Sequence, residues 1–330
     1  MFYSPPLKSP HSTTITNSPP SFQLSFYRNM TIHLFILQSL VSAALYTHVK
    51  QGGGPEYQRI SYADMLSQVG FLSQLFRGEF IFPSEGLEHN LAKTLAGLES
   101  DNVIKLTRSP TDATVIETIE LSDAERESGR ENFDFYCFLI WPFIEAAWLG
   151  AISLTMLTPR PTTSLAHNRQ TTPIHAPRPT QKAFQDRAQL LGKTLYHQGD
   201  LSYFEAVNKE TLKNSYTRFE EDGMLIVAKS KDVGTTVRLA DAWIPERGAR
   251  GIKAEGPLWR FAERISASRR EGKNRRDGST VQTRVLNLAD VVAEGLWAEA
   301  AFGESGGADE VGVSTRKVRG GRKRGSMARL

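Results

Sequence analysis

The sequence predicts a predominantly helical α+β fold containing two helix-plus-β-hairpin, winged-helix-like units, with disordered ends. Three observations carry that expectation. Apolar residues recur at helical spacing through most of 32–98, and the period then changes to two at 103–106 and 114–119. The same order returns downstream, where Leu91, Leu95, Leu98, Glu99 and Asp101 are matched by Leu212, Tyr216, Phe219, Glu220 and Asp222 at one constant offset. That match reads either as an internal duplication or as two helices that share an amphipathic pattern.

Residues 1–24 are rich in Ser, Pro and Thr without periodicity, so they form a disordered leader that cannot offset its chain entropy. The first half of the main domain follows over 25–157. Its opening apolar run, 32–46, has the length of a signal core but no compact basic segment before it, and a buried amphipathic helix is expected. Gly52-Gly53-Gly54-Pro55 breaks that helix. Tyr62, Leu66, Val69, Leu72 and Phe76 mark a second helix that stops by Phe80-Ile81-Phe82-Pro83. Leu87, Leu91, Leu95 and Leu98 mark a third, with Ser84 expected as its cap and Glu85 in its first turn. Two strands then flank the turn Ser109-Pro110-Thr111-Asp112.

The run 133–157 is long enough to cross a bilayer. It nevertheless contains Asp134, Pro142 and the interior Glu145, whose carboxylate has no evident partner and is costly in lipid. A buried core helix, or one lying in the membrane plane, is expected instead of a span. Residues 158–180 are Pro- and Thr-rich and read as a flexible linker. The second half of the domain occupies 181–242, with helices over 181–197 and around Leu212–Asp222 and strands at 224–229 and 235–239. A helical extension over 243–302 and a disordered basic tail over 303–330 complete the chain. Inside the extension, the run Arg269-Arg270-Glu271-Gly272-Lys273-Asn274-Arg275-Arg276-Asp277 reads as a solvated loop or helix end more readily than as an anion site.

Charge narrows the function classes. The formal net charge is +4, yet 316–330 alone carries seven Lys and Arg and no acid, so the remainder is slightly acidic. The downstream amphipathic helix interleaves Lys209, Lys213 and Arg218 with Glu210, Glu220 and Glu221, the pattern of a solvated face, and a nucleic-acid partner is disfavoured. Cys137, the single cysteine, cannot form an internal disulfide and sits among apolar residues where a thiol is inert. His33 on its apolar run is expected to be a core histidine. No Cys/His metal spacing and no phosphate-binding glycine loop occur, so neither metal nor cofactor is expected.

Four stretches carry a family resemblance. Tyr27-Arg28-Asn29 leads into the first apolar helix. Later come Glu79-Phe80-Ile81-Phe82, Phe135-Tyr136-Cys137-Phe138-Leu139-Ile140-Trp141-Pro142 and Tyr203-Phe204-Glu205-Ala206-Val207-Asn208. Over about residues 25–240 the chain resembles the C-terminal region of the glycerol-3-phosphate and dihydroxyacetone-phosphate acyltransferases. The resemblance implies phospholipid or ether-lipid synthesis, with acyl-CoA as co-substrate, and a His-x-x-x-x-Asp dyad in a preceding domain as the reactive centre. In such a dyad the His takes the acceptor hydroxyl proton while the Asp fixes its tautomer.

The dyad has no counterpart here. The seven His residues are His11, His33, His48, His89, His167, His175 and His197, and none is followed by Asp five positions on. Phe82-Pro83-Ser84-Glu85-Gly86 is similar to the acceptor-side Phe-Pro-Glu-Gly of the family, but the Ser insertion and its position mark it as a helix stop and start. No catalytic residue is therefore assigned, and a truncated chain without acyl transfer of its own is expected. Its partners would be a membrane surface or a catalytic acyltransferase domain in another chain. Ala328-Arg329-Leu330 is a variant of the peroxisomal Ser-Lys-Leu address, which matches a membrane-associated, peroxisomal placement. A non-catalytic membrane- or protein-interaction module and a winged-helix nucleic-acid binder are the alternatives.

Overall fold

The computed structural model describes residues 27–159, 178–230, 234–249, 251–270 and 278–305. The leader 1–24, most of the 158–180 linker, the loop 271–277 and the tail with Ala328, Arg329 and Leu330 lie outside the described residues.

Helix α5 (Glu131–Leu154) is the axis of the fold. Glu125 fixes where it begins, accepting the Phe133 N–H at 2.8 Å on one carboxylate oxygen and the Asn132 side-chain amide at 3.1 Å on the other. This satisfies first-turn donors that the helix itself cannot. Glu125 is held in turn by the short helix α4 (Asp123–Glu127), which Ser122 caps. From Leu139 to Leu154, α5 is buried on nearly every side except at Phe143. Glu131–Leu157 is long and apolar enough to cross a membrane, yet 89% of its apolar window is buried by protein. It is the core helix of the expected pair of readings.

The chain enters through the short helical stretch Tyr27–Leu34 and bends by 93° into α1 (Ile36–Val49). The expectation of an amphipathic first helix fails. Helix α1 buries residues around its whole circumference, Ser39 and Ser42 included, because α5 covers one side while α2 (Tyr62–Leu75) and α3 (Leu87–Ser100) cover another. His33 is not a core histidine either. It lies exposed in the single turn Ile32–Leu34 at the bend, where Ile32 alone points inward.

Helix α3 begins at Leu87, not after Ser84. Gly86, at φ +95°, holds the cap position, no side chain caps the helix, and Glu88 occupies the first turn in place of Glu85. Asn90 pins the preceding segment by donating its side-chain N–H to the Pro83 carbonyl at 3.1 Å.

Both expected hairpins are present. Strands β2 (Ile104–Arg108) and β3 (Ile116–Leu121) pair antiparallel, and β1 (Ile60–Ser61) adds a third strand in the order β1-β3-β2. Strands β4 (Leu225–Ser230) and β5 (Gly234–Leu239) form a separate two-stranded ribbon after α7 (Lys209–Glu221). The matched positions in the sequence fold alike at the helix ends. Val103 N–H donates to the Leu98 carbonyl at 2.9 Å and Asn102 N–H to Glu99 at 3.0 Å, with Asn102 at φ 57°. Met224 N–H donates to Phe219 at 2.9 Å and Gly223 N–H to Glu220 at 3.0 Å, with Gly223 at φ 70°. Each is a left-handed helix stop that turns the chain into its hairpin. The molecule is thus mostly helical with small antiparallel sheets.

The remaining helices close over α5. Helix α6 (Gln181–Gln198) approaches it closely at Gly192, where a Cβ would fall 2.5 Å from a Leu149 methyl and 3.2 Å from Val207. Helix α8 (Gly256–Ala267) packs on α5, and α9 (Gly278–Ser305) packs on α6. A two-residue ribbon, β6 (Arg247–Gly248) with β7 (Gly251–Ile252), is tied to α9 by a bidentate Arg247–Asp290 pair at 2.7 and 2.9 Å. Apolar residues of α8 and α9, among them Leu258, Ile265, Leu286 and Leu296, belong to the same continuous core as Leu40 and Ile144.

Candidate functional site

An open cleft of about 680 Å³ lies on one flank of α5. Five elements build it. The leading helix gives Arg28 and Asn29, α5 gives Pro142 and Phe143, and α6 gives Gln189 and Lys193 one turn apart. The turn Phe204–Val207 and the first turn of α7 form the far wall, through Phe204, Glu205, Val207, Asn208, Lys209 and Thr211.

Three of the four stretches behind the resemblance line it, and the fourth touches it through one ring contact. Arg28 and Asn29 face Glu205 and Asn208 across the cleft, and Pro142 forms its floor beside Phe143. Phe143 meets Phe80 of the remaining stretch edge-on, with ring centroids 5.0 Å apart. Beneath them Glu79 is half-buried, and burial raises its pKa against the opposing hydrogen bond from Asn214.

Arg28 is the unusual member. Its residue is 4% exposed, its guanidinium sits 5.4 Å from the Phe138 ring centre, and the nearest Glu205 oxygen is 3.7 Å away. That separation is an ion pair without a hydrogen bond. Its side-chain hydrogen bonds go to the Asn29 amide oxygen at 3.3 and 3.4 Å, so a fork of five donors is weakly used. Burial lowers its pKa, and the charge of Glu205 opposes that shift. Among the described residues the lining holds three cations, Arg28, Lys193 and Lys209, against the single carboxylate of Glu205. Lys209 pairs outside the cleft with Asp186 at 2.6 Å, whereas Lys193 has no ion-pair partner among the described residues.

A second polar cluster, centred on the buried Glu145, Asp200 and Arg269, holds the cleft wall in place. Glu145 has the partners that the sequence did not reveal. Its carboxylate accepts the Ser202 N–H at 3.0 and 2.9 Å and the Tyr203 N–H at 2.9 Å, immediately before the turn that lines the cleft. Arg269 supplies the countercharge. Burial is the largest influence on Glu145 and raises its pKa, while Arg269 and the backbone N–H groups oppose the rise. Arg269 stacks 3.8 Å from the Trp148 ring centre and donates to the Asp200 carbonyl at 3.0 Å. The Asp200 carboxylate is met by Arg284 of α9. Gln189 completes the bracing by donating to the Val207 carbonyl at 3.2 Å.

Arg269 overturns the expectation of a solvated loop at the start of its basic run. It is 8% exposed because α8 ends against α5 and turns the side chain inward, toward Trp148 and Glu145. Cys137 is fully buried and its thiol pKa is raised well above the usual value, as an inert thiol requires. Among the described residues no group of His, Cys, Asp and Glu could hold a metal ion. Sequence reasoning missed Gln189 and Lys193, whose i, i+4 spacing on the polar face of α6 was the available signal.

A known family model matches the chain. The family model described as glycerol-3-phosphate acyltransferase C-terminal region matches residues 8–228, more than half of the chain. Among curated proteins none matches.

Proposed function

Since this chain belongs to the glycerol-3-phosphate acyltransferase C-terminal region family, we propose that it serves acyl transfer from acyl-CoA to the hydroxyl of glycerol 3-phosphate or dihydroxyacetone phosphate. Its part is that of a supporting region which donates no reacting proton. The observation that carries this reading is the convergence of three of the four family-like stretches on a single cationic cleft, with no histidine in its lining among the described residues. In the reaction, the acceptor hydroxyl oxygen attacks the thioester carbonyl, the C–S bond breaks, and a base takes the hydroxyl proton. None of the seven histidines has the Asp spacing of the dyad, so that base belongs to an acyltransferase domain working with this chain.

The outer face of the leading helix supports a partner at that flank. Tyr27, Met30 and Leu34 fall on one helical face and are 65%, 56% and 64% exposed, while the polar Arg28 is turned inward. Phe135, also exposed, meets Phe35 edge-on at 6.0 Å and extends the same apolar surface. An acyltransferase domain or a membrane surface would cover it. Ala328-Arg329-Leu330 supports peroxisomal delivery, which a fluorescent fusion with and without these three residues would check.

The functional test is an acyl-CoA assay with either phosphorylated acceptor. The purified chain alone is expected to show no turnover, and adding an acyltransferase domain that carries the His-x-x-x-x-Asp dyad is expected to give turnover above that of the domain alone. Turnover by the chain alone, or an added domain whose rate it leaves unchanged, would contradict the proposal.

A further inference from the structure

We propose that the cleft on the flank of α5 is a docking groove for this chain's own upstream segment, residues 22–26, which lies across it in extended form. The walls left uncovered are apolar. Pro142, Phe143, Phe204 and Val207 line the space, and Phe204 is 48% exposed with its ring edge-on to Tyr196 at 5.1 Å. An open aromatic ring beside an apolar cavity marks a surface that something apolar covers. The charges ask for no further counter-ion, because Glu205 stands 3.7 Å from Arg28 and Asp186 takes Lys209 at 2.6 Å. The occupant that fits is neutral and apolar, with backbone carbonyls for the donors that remain. Those donors are the ammonium of the exposed Lys193 and the weakly used fork of Arg28.

Three observations select 22–26 as that occupant. The first is position. The chain upstream joins the described fold at Tyr27, and the next two residues, Arg28 and Asn29, already line the cleft. Five extended residues span about 17 Å, so no long tether is needed. The second is pattern. Phe22, Leu24 and Phe26 alternate with Gln23 and Ser25, which puts three apolar side chains on one side of an extended chain and two polar ones on the other. Pro19-Pro20 just upstream favours extended over helical backbone. No Asp, Glu, Lys or Arg occurs between Lys8 and Arg28, as a groove with its charges already paired requires. The third is the family match, which starts at residue 8 and so includes 22–26. Docked there, the segment closes the groove in cis, and any other occupant of the same walls must displace it.

The inference stands on the groove walls and not on the acyl-transfer reading, so each can fail alone: one is read as side-chain protection in the isolated chain, the other as turnover with an added domain. The test is hydroxyl-radical footprinting of the full chain, read residue by residue by mass spectrometry. A segment docked in about four fifths of molecules lowers oxidation of the covered side chains about fivefold. Phe204 is therefore expected to oxidise about fivefold more slowly in wild type than in Leu24→Asp, and Phe22 and Phe26 about fivefold more slowly in wild type than in Phe204→Ser. Leu24→Asp alters no residue of the described fold, and near-ultraviolet circular dichroism is expected to be unchanged in Phe204→Ser. Oxidation rates that neither substitution moves would overturn the proposal. So would protection that grows with protein concentration, which assigns the groove to a second copy's segment. Protection of Phe204 that appears only on adding phospholipid vesicles or an acyltransferase domain gives the groove to that occupant and overturns it equally.

Discussion

Two buried arginines stand beside the same helix, and they are treated differently. Arg269 is saturated. It stacks on Trp148, donates to the Asp200 carbonyl and supplies the countercharge to Glu145, whose oxygens are already taken by two backbone N–H groups. Arg28 is 4% exposed against 8% for Arg269, but it stands beside an open cleft, 3.7 Å from its carboxylate partner and with long bonds to a neighbouring amide. A satisfied buried cation fixes geometry, and a loosely held one beside a cavity keeps its donors for something else. The first arrangement positions the 202–207 wall, and the second lines the space behind it.

That contrast sets the scale of each substitution. Glu145→Ala removes the acceptor of two backbone N–H groups and leaves Arg269 charged and buried with only Asp200, already met by Arg284, as countercharge. A loss of about 3–5 kcal/mol in urea unfolding is expected. On the facing side of α5, Ser153→Ala strips the 2.7 Å partner from the buried Tyr216 hydroxyl and should cost about 1–3 kcal/mol. Gly192→Ala presses a methyl against Leu149 and Val207. A cost of about 1 kcal/mol is expected in the same urea series. Arg77→Ala, which breaks an exposed pair with Glu221 at 2.8 Å, should change stability by less than about 0.5 kcal/mol.

Titration sharpens the same comparison. The folded-state pKa of Glu145 is raised above its unfolded value, so the folded protein binds more protons than the unfolded chain through the interval between the two. Its contribution to stability is therefore fully present below the ordinary carboxylate range and is lost as pH rises through the raised value. The stability advantage of wild type over Glu145→Gln should shrink across that window in a pH series of unfolding curves. A constant difference would show that Glu145 titrates alike in both states.

How much of this was legible depended on the distance between partners. The helices, both hairpins and the left-handed stops after Leu98 and Phe219 are local, and apolar spacing with Asn102 and Gly223 marks them. The direction of burial was less legible. The 32–46 run reads as amphipathic because His33, Gln38, Ser39 and Ser42 are polar, but the two serines are small enough to sit in a helix interface. Glu145 looked costly because its donors lie near 202 and its countercharge at Arg269, separations no periodicity encodes. The cleft was half visible: Arg28, Asn29, Pro142 and Glu205 lie in stretches that resembled the family, whereas Lys193 and Gln189 look like any solvated helix face.

The most direct test of the division between lock and recognition is the unfolding free energy of Arg269→Met beside that of Arg28→Met, measured by urea denaturation of the full chain. The account predicts a loss of about 3–5 kcal/mol for Arg269→Met, which leaves Glu145 buried and unpaired, and about 1 kcal/mol or less for Arg28→Met, whose partner Glu205 reaches solvent. Equal losses, or the reverse order, would contradict it.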